Sequence, residues 1–263
     1  MSSVRRVLAS QLKNVLRSRW VIAYTLLLLV ATGLLIRFGG SGSRALLSLV
    51  NVVLLLLPLM SVVFGTLYIY NAREFIELLL AQPVSRGALY LGLFGGLAIP
   101  LSAALLVGVG GPLAVQLLYE PAIAGQLAML LATGVLLTLV FTAFALCVAV
   151  LVDDRAWGFG GALLVWLACT AVYDGIVLLV ITTFREYPLE IPTLLMTLVN
   201  PVDLARVVML LTFDVAALMG YTGAVFERAF GGSGGVAAAF AMLLLCAAVP
   251  LWLGFRWFRR KDF

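Results

Sequence analysis

The side chains here with metal-binding or thiol chemistry are three cysteines and seven methionines, with no histidine to join them. Cys147, Cys169 and Cys246 are far apart, each inside an apolar run, and no CxxC spacing exists. That is the pattern of small residues packed in membrane helices; a metal or redox centre built from them is the weaker alternative. Met60, Met129, Met196, Met209, Met219 and Met242 could include a ligand for a soft metal, yet they are scattered as packing residues are. Without histidine there is no credible nucleophile–base site, although carboxylate or lysine chemistry stays open. The phosphate cradle GxxxxGK[ST] is missing. The glycines at Gly108–Gly111 lack its lysine and lie in an apolar run, where close helix packing explains them better. The expected set of catalytic, cofactor-binding and metal-binding residues is therefore empty, and the chain is not expected to be an enzyme.

The charged residues point to mechanical work instead. Asn71–Arg86 reads NAREFIELLLAQPVSR between two long apolar runs. Phe75, Leu78 and Leu79 can share one face of a short helix, with Arg73, Glu74 and Glu77 supplying polar contacts. Pro83 cannot continue the helix, and it pushes Gln82 out of helical geometry. A short, rigid, charged helix with a hard stop could plug into a groove on a soluble partner. The alternative is an ordinary loop helix with solvated charges. Asp153, Asp154 and Arg155 form a second, minimal polar loop.

Positioning these residues requires a membrane domain. Of 263 residues, 64% are hydrophobic and 11% charged, with mean hydropathy +1.17; soluble domains carry about a quarter charged residues. The apolar runs reach about 20 residues, enough to cross a hydrocarbon core of roughly 30 Å. The fold class is all-α and polytopic, and the apolar character rules against a β-barrel, which would alternate in shorter runs. Residues 4–19 read as an amphipathic helix whose basic face suits an anionic leaflet; a basic flank that only sets orientation is the alternative. Spans are expected at about 20–38, 46–70, 89–118, 125–152, 157–181 and 236–255. Pro58 is expected to kink the second, and Pro100 and the glycines to break the third.

Residues 182–234 are mixed. Asn200-Pro201 with Asp203 has the form of a helix start, and that helix could run to Arg228, which would carry Asp214 near mid-membrane at a cost. Topology decides the reading. With six spans and the N-terminus inside, the cytoplasmic side holds Arg5, Arg6, Lys13, Arg17, Arg19, Arg73, Arg86, Arg155, Arg256, Arg259, Arg260 and Lys261, twelve of the seventeen basic residues. A seventh span at 204–226 would put the basic tail outside, against the positive-inside bias. Both termini are thus expected in the cytoplasm. Residues 182–234 are expected to be mostly extracytoplasmic, with helices lying in the interface or dipping in and out of it. The +5 charge reflects topology rather than nucleic-acid binding.

The chain resembles the membrane subunits of ABC-2 type transporters over nearly its whole length. The whole of 1–263 is then one transmembrane domain, with 4–19 as a connector, 71–86 (including the QPVSR ending) as the main coupling helix, and Asp153–Arg155 as a smaller contact. Within that family it is similar to the permeases encoded with nitrous oxide reductase maturation proteins, in EFIELLLAQPVSR and in NPVDLARVVMLLTFDVAALMGYTGAVFERAFG, residues 200–231.

The resemblance implies two copies of this chain in a bacterial inner membrane and two cytoplasmic ATPase subunits that bind the ATP and Mg. A periplasmic copper-binding partner of β-helical architecture, and a copper chaperone, would meet the outer segment. It implies force transfer through Arg73, Glu74, Phe75, Glu77 and Arg86, then Asp153 and Arg155. Asp203, Arg206 and Asp214 would serve docking or a gate, or else only helix capping and hydration. The implied function is maturation of the copper centre of nitrous oxide reductase in denitrification, by passage of a sulfur species or by mechanical transmission. A generic exporter of a lipid or other hydrophobic substrate is the rival reading, and a structural anchor a weaker one.

Overall fold

The computed structural model describes residues 18–39, 42–80, 85–184, 190–213 and 233–261. Among the described residues, six helical stretches are long and apolar enough to cross a membrane: Arg19–Gly39, Arg44–Asn71, Arg86–Gln116, Pro121–Leu151, Arg155–Thr183 and Gly234–Arg260. The expected amphipathic helix at 4–19 lies outside the described residues apart from its last two positions.

The helices are α1 (Arg19–Gly39), α2 (Gly42–Asn71), α3 (Arg73–Leu80), α4 (Arg86–Leu105), α5 (Gly111–Gln116), α6 (Ala124–Leu151), α7 (Arg155–Leu167), α8 (Tyr173–Thr183), α9 (Glu190–Val199), α10 (Pro201–Thr212) and α11 (Ser233–Arg260). The bundle is built around α6, which packs against α2, α4, α7, α10 and α11. Its apolar residues leave no polar stripe for solvent, as expected of a helix enclosed on most sides. Thr133, Thr138 and Thr142 are buried within it, and the Thr138 hydroxyl donates to the Gly134 carbonyl at 2.9 Å. The fifth span is the opposite case: the apolar stretch of α7–α8 has the least buried surface of the six.

Two spans are interrupted. Pro58 lies inside α2, which continues through it as one helix. The third span instead opens at a π-helical turn, Leu106–Gly110, between α4 and α5. Gly108 lets α1 approach that turn: a Cβ there would stand 2.7 Å from the Leu28 Cβ and 3.0 Å from the Thr25 carbonyl oxygen. Close packing by a small residue is thus the role of Gly108. A second π-helical turn, Ala168–Val172, joins α7 to α8.

At the loop after α5, the Glu120 carboxylate accepts from the Gly42 amide at 3.1 and 3.3 Å, placing a negative charge on the free amides at the start of α2. The methionines are mostly packing residues. Met209 is fully buried, and Met60, Met129 and Met242 lie against the apolar clusters; Met219 lies outside the described residues. Among the described residues no group of three or more histidine, cysteine, aspartate or glutamate side chains is placed to hold a metal ion.

Within the described part of 182–234, two features stand out. The helix beginning at Pro201 ends at Thr212 instead of running toward Arg228. Thr212 turns its hydroxyl back on the Val208 carbonyl at 2.8 Å, and Phe213 leaves helical geometry with ψ near 6°; such back-bonding competes with the helix ladder. Second, α9 and α10 meet at a bend of 113°, and α10 is buried against α6, α11 and α2. Cys169, which touches the bend, lies 14 residues from either end of the Arg155–Thr183 span. The pair therefore dips to the middle of the bundle. Asp214 and the sequence up to residue 232 lie outside the described residues.

Candidate functional site

α3 and the elements around it gather the charged residues at one end of the bundle. α2 hands over to α3 through Ala72, whose amide still bonds the Tyr68 carbonyl at 3.0 Å. Ile76 is buried and Leu79 half-buried, against a cluster that includes Leu89, Tyr90, Val150 and Phe258. Phe75 and Leu78, expected on the same face as Leu79, instead stand 42% and 67% exposed beside the exposed Glu74 and Glu77. The side of α3 that faces outward is thus two carboxylates and two large apolar groups, the mixed character of a docking surface. Residues 81–84, including Pro83, lie outside the described residues.

Three cations at this end, Arg73, Arg86 and Lys261, face inward, each onto the free carbonyls of a helix C-terminus. Arg73 donates to the Val152 carbonyl at 3.0 Å just past α6, stands 3.5 Å from Asp153 and lies 4.8 Å from the centre of the Tyr70 ring. The Tyr70 hydroxyl donates to the same carbonyl at 2.9 Å. Gly158 permits this, since a Cβ at that position would overlap the Tyr70 hydroxyl. Lys261 donates to the Val150 carbonyl at 2.7 Å and pairs with Asp153. Arg86 donates to the carbonyls of Arg259 at 3.0 Å and Lys261 at 2.8 Å, closing the end of α11. Cations at helix C-termini satisfy orphan carbonyls and complement the helix dipole. α3, the 152–154 loop and the C-terminal end of α11 thus form one braced unit.

Arg155 does not join Asp153. It lines a cavity of about 320 Å³ with Tyr68 and Asn71 of α2 and Trp20 of α1, while Asp154 caps α7 by accepting from the Trp157 amide at 2.9 Å. Ser85, the serine of QPVSR, caps α4 by accepting from the Ala88 amide at 3.3 Å. The sequence signal for that role was a serine three residues before the buried Ala88, just ahead of an apolar run. Lys261 carried no such local signal.

Magnitudes rank the ties. Asp153 is 74% exposed, so its ion pairs contribute at most about 1 kcal/mol. Its carboxyl is held below the usual carboxylate range, first by the hydrogen bond from Lys261, against slight burial, with the Lys261 and Arg73 charges adding. A lowered carboxylate pKa stabilises fully above the unfolded value, near 3.9, and loses that contribution as pH falls through the folded value. The brace should hold from neutral pH to about 4 and loosen only below it. Arg86 carries more: Arg86→Ala should cost about 1–2 kcal/mol and expose the end of α11. Hydrogen exchange of the Arg260 and Lys261 amides checks both, with Asp153→Asn having the smaller effect at pH 7.

A second polar group sits at the α9–α10 bend. Asn200 caps α10 by accepting from the Val202 amide at 3.1 Å, and donates to the Cys169 carbonyl at 2.7 Å and to Asp203 at 3.0 Å. That carbonyl belongs to the π-helical turn, where the regular ladder is interrupted. Tyr173 donates to the Met196 carbonyl at 2.7 Å. Arg206 bridges Asp203 at 3.0 Å and Asp174 at 3.1 Å. Asp203 is buried within the bundle, so of the expected docking or gate residues it faces a protein interior. The sequence did not single out Asp174, and it marked Asn200 only as part of a helix start, not as a tie to the fifth span.

Comparison with known proteins identifies the family. The family described as ABC-2 family transporter protein matches residues 42–263. The chain belongs to the ABC-2 transporter family. Relatives of similar length extend the match to the N-terminal region. One is "Probable ABC transporter permease protein NosY" of Stutzerimonas stutzeri, 31% identical over 281 residues that cover 99% of each chain. Another, of the same name, is from Pseudomonas aeruginosa, 28% identical over 280 residues and 100% of each chain.

Proposed function

We propose that this chain is the non-catalytic membrane subunit of an ABC transporter, driven by separate cytoplasmic ATPase subunits bearing on α3. The observation that carries the proposal is the outward face of α3. Glu74, Phe75, Glu77 and Leu78 are exposed, on a helix tied to α6 through Arg73 and Val152. A push on that face reaches α6, around which the bundle is built. Asp153 lies at the edge of the same unit, and Arg155 offers a separate contact beside α1. In this reading α3 faces the cytoplasm of a bacterial cell and a second copy completes the membrane domain.

The finer function we infer is maturation of the copper centre of nitrous oxide reductase. It rests on the likeness to the two permeases named NosY and on the resemblance of residues 71–86 and 200–231. A periplasmic copper-binding partner would meet the side where α9 and α10 enter the bundle. Asp203 and Arg206, held at the bend, would then transmit motion or gate the passage of a sulfur species. Deleting the gene from a host that makes nitrous oxide reductase tests this. The expected product is reductase lacking its copper–sulfide centre, restored by the wild-type gene. Fully loaded reductase in the deletion strain would exclude the maturation role and leave a generic ABC-2 exporter.

A further inference from the structure

The basic C-terminal run splits into two groups. Lys261 turns inward onto Val150 and Asp153. Arg256, Arg259 and Arg260 remain exposed, and among the described residues none of their guanidinium groups has a carboxylate within ion-pair distance. The three are spaced along one stretch of α11, and two of them lie over aromatic rings. Arg256 stands 5.6 Å from the Trp252 ring centre, and Arg259 stands 5.8 Å from that of Phe255. With Arg260 these residues line a cavity of about 370 Å³.

A guanidinium is always charged and presents a planar fork of donors that matches phosphate oxygens. Stacking on an aromatic ring holds that fork in place and reduces the freedom lost on binding. Depth narrows the choice of occupant. Trp252 and Trp257 are 57% and 55% exposed, as tryptophans of the aromatic belt are, where apolar rings meet the headgroup layer. From Trp252 to Arg260 the helix rises about 12 Å, which spans from acyl chains to headgroups. The cavity therefore offers apolar walls at one end and three phosphate-binding forks at the other.

We propose that this end of α11 is a binding site for the headgroup phosphate of an anionic phospholipid. The lipid would sit in the leaflet nearest α3, its glycerol and upper acyl chain against Trp252 and Phe255, its phosphate among Arg256, Arg259 and Arg260. Because Arg86 grips the Arg259 carbonyl and Lys261 grips Asp153, a lipid bound here touches the same helix end that braces α3. This proposal does not depend on the ATPase or on the cargo.

The test is lipid retention by native mass spectrometry of the full-length protein. It is titrated in neutral detergent with phosphatidylglycerol, phosphatidylcholine or inorganic phosphate. Wild type is expected to retain phosphatidylglycerol in preference to phosphatidylcholine. Binding should weaken about fivefold for each arginine replaced, and about a hundredfold in Arg256→Gln/Arg259→Gln/Arg260→Gln. A control that removes two exposed arginines elsewhere, Arg37→Gln/Arg44→Gln, should bind as wild type does. Should the triple variant fail to fold, Arg260→Gln alone must still show its fivefold loss. Unchanged retention in these variants would overturn the proposal. So would inorganic phosphate displacing the lipid at equal concentration, which would make the site one for soluble anions. A change in oligomeric state with lipid retention intact would also overturn it, by making the patch a contact between copies.

Discussion

Under the proposed maturation role, reversing both charges on the outward face of α3, with Glu74→Lys and Glu77→Lys together, is expected to abolish reductase maturation while the bundle stays intact. Both side chains are exposed, so the cost to folding should fall within about 0.5 kcal/mol. A partner surface complementary to two carboxylates would instead meet two cations, and like charges across an interface cost several kcal/mol. That corresponds to a loss of coupling on the order of a hundredfold or more. Ile76→Ala provides the contrast. Ile76 is buried, so its truncation should cost about 2–5 kcal/mol of stability and lower the amount of folded protein. The measurement is copper loading of the reductase in vivo, normalised to permease recovered from the membrane. Normal loading with the doubly reversed permease would remove these glutamates from the coupling contact.

The second large effect is expected at mid-depth. Arg206 is the described cation between Asp174 and Asp203, so Arg206→Met leaves two carboxylates facing one another across a half-buried site. Breaking a fully buried pair costs about 3–5 kcal/mol. Arg206 and Asp174 each keep 36% exposure, and solvent reduces the figure to roughly 2–3 kcal/mol. Asp174→Asn alone should cost no more than about 1 kcal/mol, because Arg206 still holds Asp203. Adding Asp174→Asn to Arg206→Met should restore part of the loss by removing the repulsion. Thermal unfolding in detergent measures all three. An Arg206→Met protein as stable as wild type would mean that the α9–α10 bend is held by packing and by Asn200, without the ion cluster.

Much of this was legible in the sequence, for physical reasons. The six spans follow from unbroken apolar length, and they stand within a few residues of where hydropathy places them, apart from longer ends at Arg86, Pro121 and Arg260. The helix of the Asn71–Arg86 stretch shows in its charges, and the start of α10 shows in Asn200-Pro201. What could not be read was contact between distant residues. Asp174 and Arg206 are 32 positions apart, and nothing local to either announces the other. Lys261 reads as a topology charge, yet it bonds a carbonyl 111 residues away.

The π-helical turn at Ala168–Val172 has no glycine or proline to mark it; it is stabilised by what Asn200 and Tyr173 tie together. On α3, periodicity grouped Phe75 and Leu78 with Leu79, but the neighbouring helices present their apolar surface to Ile76. The face is therefore chosen by tertiary packing, and two large apolar side chains are left outside.

The most direct measurement is site-specific photo-cross-linking in cells that also make the ABC ATPase proposed as this permease's partner. A photoreactive residue at Leu78, on the outward face of α3, should capture the ATPase, and the yield should change when ATP hydrolysis is blocked. The same residue at Leu178, exposed on α8 toward the other end of the fifth span, should capture no ATPase. Capture from Leu178 and none from Leu78, in a complex that still assembles, would contradict the assignment of α3 as the surface through which ATP drives this protein.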